Sequence, residues 1–305
     1  MTLPAYAWAA FALVAAAAQM LRNAAQHDLT RRIGTAGATF VRFLYGLPFA
    51  LAFFVLICLA ASELPPLPDA RALMAVVLAA AAQVLATALM LRAMHEKSFV
   101  VATALTKTEA MQIVLFGLLM QGAAPSVSLI VAAVCATAGV LILSGSTIGL
   151  YSPGDARSTL RAVAYYGLSS AAAFAVATVK FRDAILALDG ASFLTAAAET
   201  LALGLILQTL AILCWLLVTD RATLLALARE WRSSLGAGGL GAFATLFWFF
   251  AFALASAARV RTVGLVEVLF AQLAAHRLFA ERTTMREAAS VALILAGVAL
   301  ALNGG

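Results

Sequence analysis

Apolar runs of roughly twenty residues follow one another along almost the whole chain, and a run of that length can cross a bilayer as one helix. The run from Lys97 to Gln121 (KSFVVATALTKTEAMQIVLFGLLMQ) is the most constraining, because Lys107 and Glu109 sit near its middle. An ionisable group at that depth costs roughly 2.5–3.5 kcal/mol on insertion scales. At i,i+2 spacing on a helix the two side chains project from different faces and cannot pair with each other. Each needs a partner on another helix, water or a ligand.

The breaks between apolar runs predict about ten spans, at 4–23, 34–61, 70–93, 98–120, 125–145, 159–181, 191–218, 234–257, 260–280 and 285–303. With 64% hydrophobic and 11% charged residues against about 25% charged in a soluble domain, the 305 residues read as an all-α integral membrane protein. The net charge of +6 is modest. The basic residues lie between the runs, where they read as topology signals rather than a nucleic-acid footprint. Cys58, Cys135 and Cys214 show no CxxC spacing, and His27, His95 and His276 are scattered, so no disulfide, metal or other cofactor is expected. The connections expected at 63–71, 152–159 and 220–234 are short, and none is a disordered linker.

A shift of 158 lays residues 97–144 over 255–302 without a gap. Ser98 meets Ser256, Glu109 meets Glu267, and Ala138-Gly139-Val140 meets Ala296-Gly297-Val298. Gly46 meets Gly204 at the same shift. The acid inside the fourth span thus falls on the acid inside the ninth. Residues 1–147 and 148–305 read as two five-helix repeats. Because five is odd the halves have opposite membrane orientation, the inverted repeat of many secondary transporters.

Ten spans in two halves, with AGVLIL at 138–143 and AGVALAL at 296–302 ending the fifth and tenth, resemble the drug/metabolite transporter superfamily and its EamA-like branch. FAERTT at 279–284 keeps the acidic ending common there after the ninth helix, whereas QGAAPS at 121–126 lacks it after the fourth. The resemblance implies a ten-helix fold and transport of a small solute, with both termini in the cytoplasm. The charge distribution disagrees on the termini. Basic residues crowd the loops after odd-numbered spans, and the other side holds only Arg71, Arg182, Arg259 and Arg261. By the positive-inside rule, that puts both termini outside.

Six ionisable residues lie well inside spans: Arg42, Lys107, Lys180, Glu109, Glu199 and Glu267. Their formal charges cancel, which fits ion pairs holding helices in register. Arg42 and Lys180, near span ends, can also snorkel to the interface. The alternative is a polar cavity for substrate or a coupling proton. Glu109 and Glu267, central and repeat-matched, are its leading acids, and Lys107 suits an anionic group or a salt bridge to Glu199 or Glu267. Thr106 and Gln112 flank Glu109 on its face. Gln83 and Thr87 on the third helix, Tyr166 and Lys180 on the sixth, and Glu199 with Thr195 on the seventh complete the candidate set. The run Phe247 to Phe250 reads as lipid contact and packing. The glycines at 236, 238, 239 and 241 lack the Lys-Ser/Thr of a phosphate loop and read as close packing.

The function expected is secondary active export of a small polar metabolite or drug by alternating access, the halves rocking around a midplane cavity, with proton coupling or solute exchange. A passive channel or facilitator of the same fold, its buried charges structural, is the alternative. No HExxH, His cluster or Ser with an obvious base is present, so no catalytic residues and no enzyme activity are expected. The expected partners are the lipid bilayer and the solute, without nucleic acid, and a homodimer is left open. Abundant Arg and Ala suggest a bacterial chain, hence an inner-membrane protein with many passes.

Overall fold

The computed structural model describes residues 4–96, 104–121, 125–148, 156–279 and 285–303. The start of the fourth span and parts of the QGAAPS, SPGDARST and FAERTT connections lie outside the described residues, as does the matched residue Ser98. Among the described residues there are helices and no strands. They are α1 (Ala7–Leu44), α2 (Leu47–Ala61), α3 (Ala70–Glu96), α4 (Glu109–Gln121), α5 (Val127–Ile148), α6 (Ala156–Leu186), α7 (Phe193–Thr219), α8 (Arg221–Arg229), α9 (Trp231–Leu254), α10 (Ala257–Gly264), α11 (Val266–Phe279) and α12 (Met285–Asn303). Among the described residues six segments are long and apolar enough to cross a membrane: 28–61, 70–94, 161–186, 193–219, 231–254 and 285–303. The apolar segment at 127–143 is shorter. Along α2, Leu51, Val55, Leu56 and Leu59 are exposed, a surface suited to lipid rather than water.

The chain divides into two compact units, 1–81 with 180–255 and 82–179 with 256–305. Each unit draws on residues from both 1–147 and 148–305, so the compact units and the two sequence halves are different divisions of the chain.

In the first unit α1 packs most extensively on α9. The residues between the first two expected spans are helical rather than a loop. Leu29 and Ile33 are buried there one turn apart, Asp28 pairs with Arg32 at 3.1 Å, and Thr30 Oγ1 donates to the Gln26 carbonyl. The break falls at Gly34, whose φ of 73° is left-handed backbone that a Cβ disfavours. A second break at Tyr45–Gly46 precedes α2, with Pro48 in its first turn where a missing N–H removes no helical bond. The glycines of α9 serve close approach, for a Cβ on Gly238 would lie 2.5 Å from the Tyr45 carbonyl carbon and one on Gly239 3.0 Å from the Phe49 ring. The aromatic run belongs mostly to the interior: Trp248, Phe249 and Phe250 are buried, and Trp248 Nε1 donates to Gln19 Oε1 at 3.1 Å. The 220–234 connection is largely helical because Asp220 caps α8, accepting from the Thr223 N–H at 3.0 Å and the Thr223 hydroxyl at 2.6 Å.

In the second unit α5 and α12 form the main helix pair. Beside them, Ala110, Leu265 and Ile294 bury a common apolar core with Val140. Arg259, expected as a loop charge, closes the end of α12 by donating from Nε to the Ala301 carbonyl and from Nη2 to the Leu302 carbonyl, each at 3.1 Å. The fourth and ninth spans, expected as single helices, are both interrupted. Lys107 and Thr108 donate to carbonyls three residues back, at 3.1 Å each, before α4 begins. Leu265 and Val268 do the same, at 3.2 and 3.1 Å, between α10 and α11. These tightened turns satisfy the backbone without a proline.

Candidate functional site

Both interruptions fall immediately before an acid. Glu109 opens α4 and Glu267 lies in the first turn of α11. A carboxylate in the first turn of a helix lies at the positive end of the helix dipole.

Each acid is also held by a base. Lys107 Nζ forms an ion pair with Glu267 Oε1, the side chains being 19% and 7% exposed. Arg261 Nε lies 3.1 Å from Glu109 Oε1, with side chains 18% and 14% exposed. That approach is not aligned as a hydrogen bond. The hydrogen-bonded route runs through α6 instead: Arg261 Nη2 donates to Thr178 Oγ1 at 3.3 Å, and that hydroxyl donates to Glu109 Oε1 at 2.7 Å. Two acids, two bases and one threonine thus make two ion pairs, each of zero net charge, within the second unit. The pairs cross between the sequence halves, because Lys107 holds the acid of the second half and Arg261 that of the first.

Other expected residues of this unit are engaged elsewhere. Gln112 Nε2 donates to Thr108 Oγ1 at 3.2 Å and to the Leu168 carbonyl at 3.3 Å, so it braces α4 against α6. Thr87 is buried and returns its hydroxyl to the Gln83 carbonyl one turn earlier. Thr106 is buried just before the turn that leads into α4. The ring of Tyr166 lies under the Arg92 guanidinium, 5.9 Å away. Glu199 and Lys180 belong to the other unit. Lys180 Nζ pairs with Asp183 Oδ2 at 2.9 Å on its own helix, and Arg42 lies over the Phe43 ring at 4.7 Å. Glu199 is buried on α7.

Arg261 and Thr178 were not among the expected site residues. Arg261 sits at the edge of the ninth apolar run and reads as a topology charge until the α10–α11 break turns it inward. Thr178 is one of two threonines on α6 and carries no signal without the position of Glu109.

No family model and no curated protein matches this sequence. The chain is similar to a solved crystal structure, described only as that of a protein, with a TM-score of 0.71 over 98% of this chain and 98% of that chain. At 15% identity the likeness concerns the fold alone.

Proposed function

We propose that this chain is a secondary active transporter of the drug/metabolite type, EamA-like, that exports a small polar metabolite or drug across a bacterial inner membrane by alternating access. The observation that carries the reading is the crossed pairing of Glu109 with Arg261 and Lys107 with Glu267, at two interrupted helices in repeat-matched positions. Interrupted helices with ion-binding ends are how many secondary transporters build a site in the membrane. In this reading ten helical passes arise when 7–33 and 35–61 count separately and the interrupted segments 104–121 and 257–279 count as one pass each. Protonation of either carboxylate, or an incoming charged group, would release its base, which gives a solute or proton a way to bias the conformation. The bodies that would move are the compact units rather than the sequence halves, since each unit contains helices from both.

A facilitator of the same fold is the second reading, favoured by the mutual neutralisation of the four charges. Proteoliposomes under an imposed pH gradient separate the two. A panel of amino acids, amines, sugar phosphates and nucleotides is offered to wild type, to Glu109→Gln and Glu267→Gln, and to the neutral doubles that also remove Arg261 or Lys107. Uphill accumulation by wild type that becomes simple equilibration in folded variants supports coupling through the acids. Equilibration by every form refutes active transport.

A further inference from the structure

In the first unit one buried carboxylate belongs to none of these ion pairs. Glu199 on α7 is 8% exposed, and its Oε2 is buried with no hydrogen-bond partner. Thr200 beside it is fully buried, its hydroxyl also without a partner. Among the described residues none of the elements packed against α7 pairs a base with Glu199. On α3, whose Ala75 and Val76 share a core with Leu203 and Leu207 of α7, Arg71 is exposed and Arg92 lies over the Tyr166 ring. On α2 the titratable group is the Cys58 thiol, within electrostatic range of both Glu199 and Glu63. On α6 Lys180 is paired with Asp183, and Arg182 donates to the Ala255 carbonyl. Residues 7–21 of α1 and 233–254 of α9 contain no charged residue, and Arg22 and Arg42 of α1 flank Gly241 on α9. The arginines of α8, Arg221 and Arg229, follow the far end of α7. An ionised carboxylate here would bear the penalty of an uncompensated buried charge, which the neutral acid largely avoids.

We propose that Glu199 is a proton-binding site, distinct from the Glu109–Glu267 cluster, that holds its proton in the resting protein and can exchange it with water at the nearby end of α7. One turn toward that end, Thr195 Oγ1 donates at 3.0 Å to Glu63 Oε1, so polar groups continue from the level of Glu199 to the helix terminus. The exchange is a simple acid–base step, with the proton passing between the carboxyl oxygen and water. In the transporter reading this group is a proton site additional to the paired acids. The site itself does not depend on transport.

Infrared difference spectroscopy of the full chain in membranes tests the assignment without any substrate. Wild type is expected to show a protonated-carboxyl carbonyl band that disappears as the buffer is made alkaline and is missing in Glu199→Gln. Glu199→Asp is expected to shift the same band, which guards against misfolding of the Gln variant. Labelling with N,N′-dicyclohexylcarbodiimide, which needs a protonated carboxyl in apolar surroundings, is expected to modify Glu199 several-fold more than Glu109 or Glu267 by peptide mass analysis. Superimposable spectra from wild type and both Glu199 variants would overturn the proposal, as would labelling confined to Glu109 and Glu267. Because neither readout involves transport, loss of the transporter reading would leave this result standing, and the reverse.

Discussion

Gly139 and Gly297 make the same contact in reverse. A Cβ on Gly139 would lie 2.8 Å from both Ile294 Cγ1 and the Ser290 carbonyl oxygen. One on Gly297 would lie 2.6 Å from the Ala132 carbonyl oxygen and 2.7 Å from Ala136 Cβ. Ser290 and Ile294 precede Gly297 by the same intervals as Ala132 and Ala136 precede Gly139. Along α5 from 139 down to 132, the touching positions on α12 rise toward 297, as antiparallel packing requires. The contact is self-complementary, as in a two-fold interface between identical subunits, although here both surfaces belong to one chain. If both helices cross the bilayer, the local two-fold axis lies in the membrane plane.

Both glycines are therefore needed for space. Gly139→Ala and Gly297→Ala should each destabilise the chain by about 1–3 kcal/mol through overpacking. Gly297→Ala should be the worse, because the backbone atoms it meets lie closer, at 2.6 and 2.7 Å against 2.8 and 3.0 Å at Gly139, and the Ala136 Cβ beside them has no rotamer to escape into. Thermal unfolding in detergent checks both, and unchanged midpoints would refute the packing argument.

The crossed ion pairs make a second expectation. Glu109→Gln leaves the Arg261 charge without its carboxylate, and breaking one side of a buried pair costs about 3–5 kcal/mol. Glu109→Gln combined with Arg261→Gln removes both charges and should recover part of that loss, with a coupling of about 0.5–3 kcal/mol in a double-mutant cycle. The cycle of Lys107 with Glu267 should behave alike. Strict additivity of the single changes would mean the pairs hold nothing together.

Much of this fold was legible from apolar periodicity. The expected span 285–303 coincides with α12, and 191–218 lies within two residues of α7 at its start. The interruption before Glu109 was not legible, since 104–109 contains neither Gly nor Pro. Of the candidate site, the repeat match singled out Glu109 and Glu267, and a pair of Lys107 with Glu267 was one of the readings open for that lysine. Glu109's own partners were hidden, because one is a threonine and the other sat at the edge of the ninth expected span, where it read as a topology charge. Gln112 and Thr87 read as cavity residues because polarity on a helix face looks the same whether it meets a ligand or a neighbouring carbonyl.

Two backbone positions separate conformational strain from crowding. Gly34 has φ 73°, and a Cβ added there would meet nothing within 4 Å, so Gly34→Ala encounters strain alone. With ψ 169° the backbone lies in a region that is essentially restricted to glycine, and a loss of roughly 1–3 kcal/mol is expected. Ser62 at the end of α2 already bears such strain, with φ 50° and ψ 37°. Ser62→Gly should gain up to about 1 kcal/mol, the usual preference for glycine at a left-handed helix end. Opposite shifts of the thermal midpoint are the expected pattern, and a shift of the same sign in both would be incompatible with it.

Acid sensitivity should trace to Glu63. Its carboxylate accepts the Ser192 N–H at 2.8 Å and the Thr195 hydroxyl at 3.0 Å at the start of α7. The Ser192 amide first, then the Thr195 hydroxyl, hold its ionisation below the usual glutamate range. Asp220 is held low in the same sense by the Thr223 hydroxyl and N–H. A carboxyl that is more acidic when folded stabilises the fold fully above its unfolded pKa, about 4.3 for Glu and 3.9 for Asp. That contribution fades as pH falls through the lower folded value. The thermal midpoint of wild type should therefore decline on acidification below about pH 4.3. Glu63→Gln should remove part of that slope and Asp220→Asn a further part, while both variants give up the charged-cap contribution at neutral pH. A Glu63→Gln profile parallel to wild type throughout the acid range would show that this carboxylate does not tie α2 to α7.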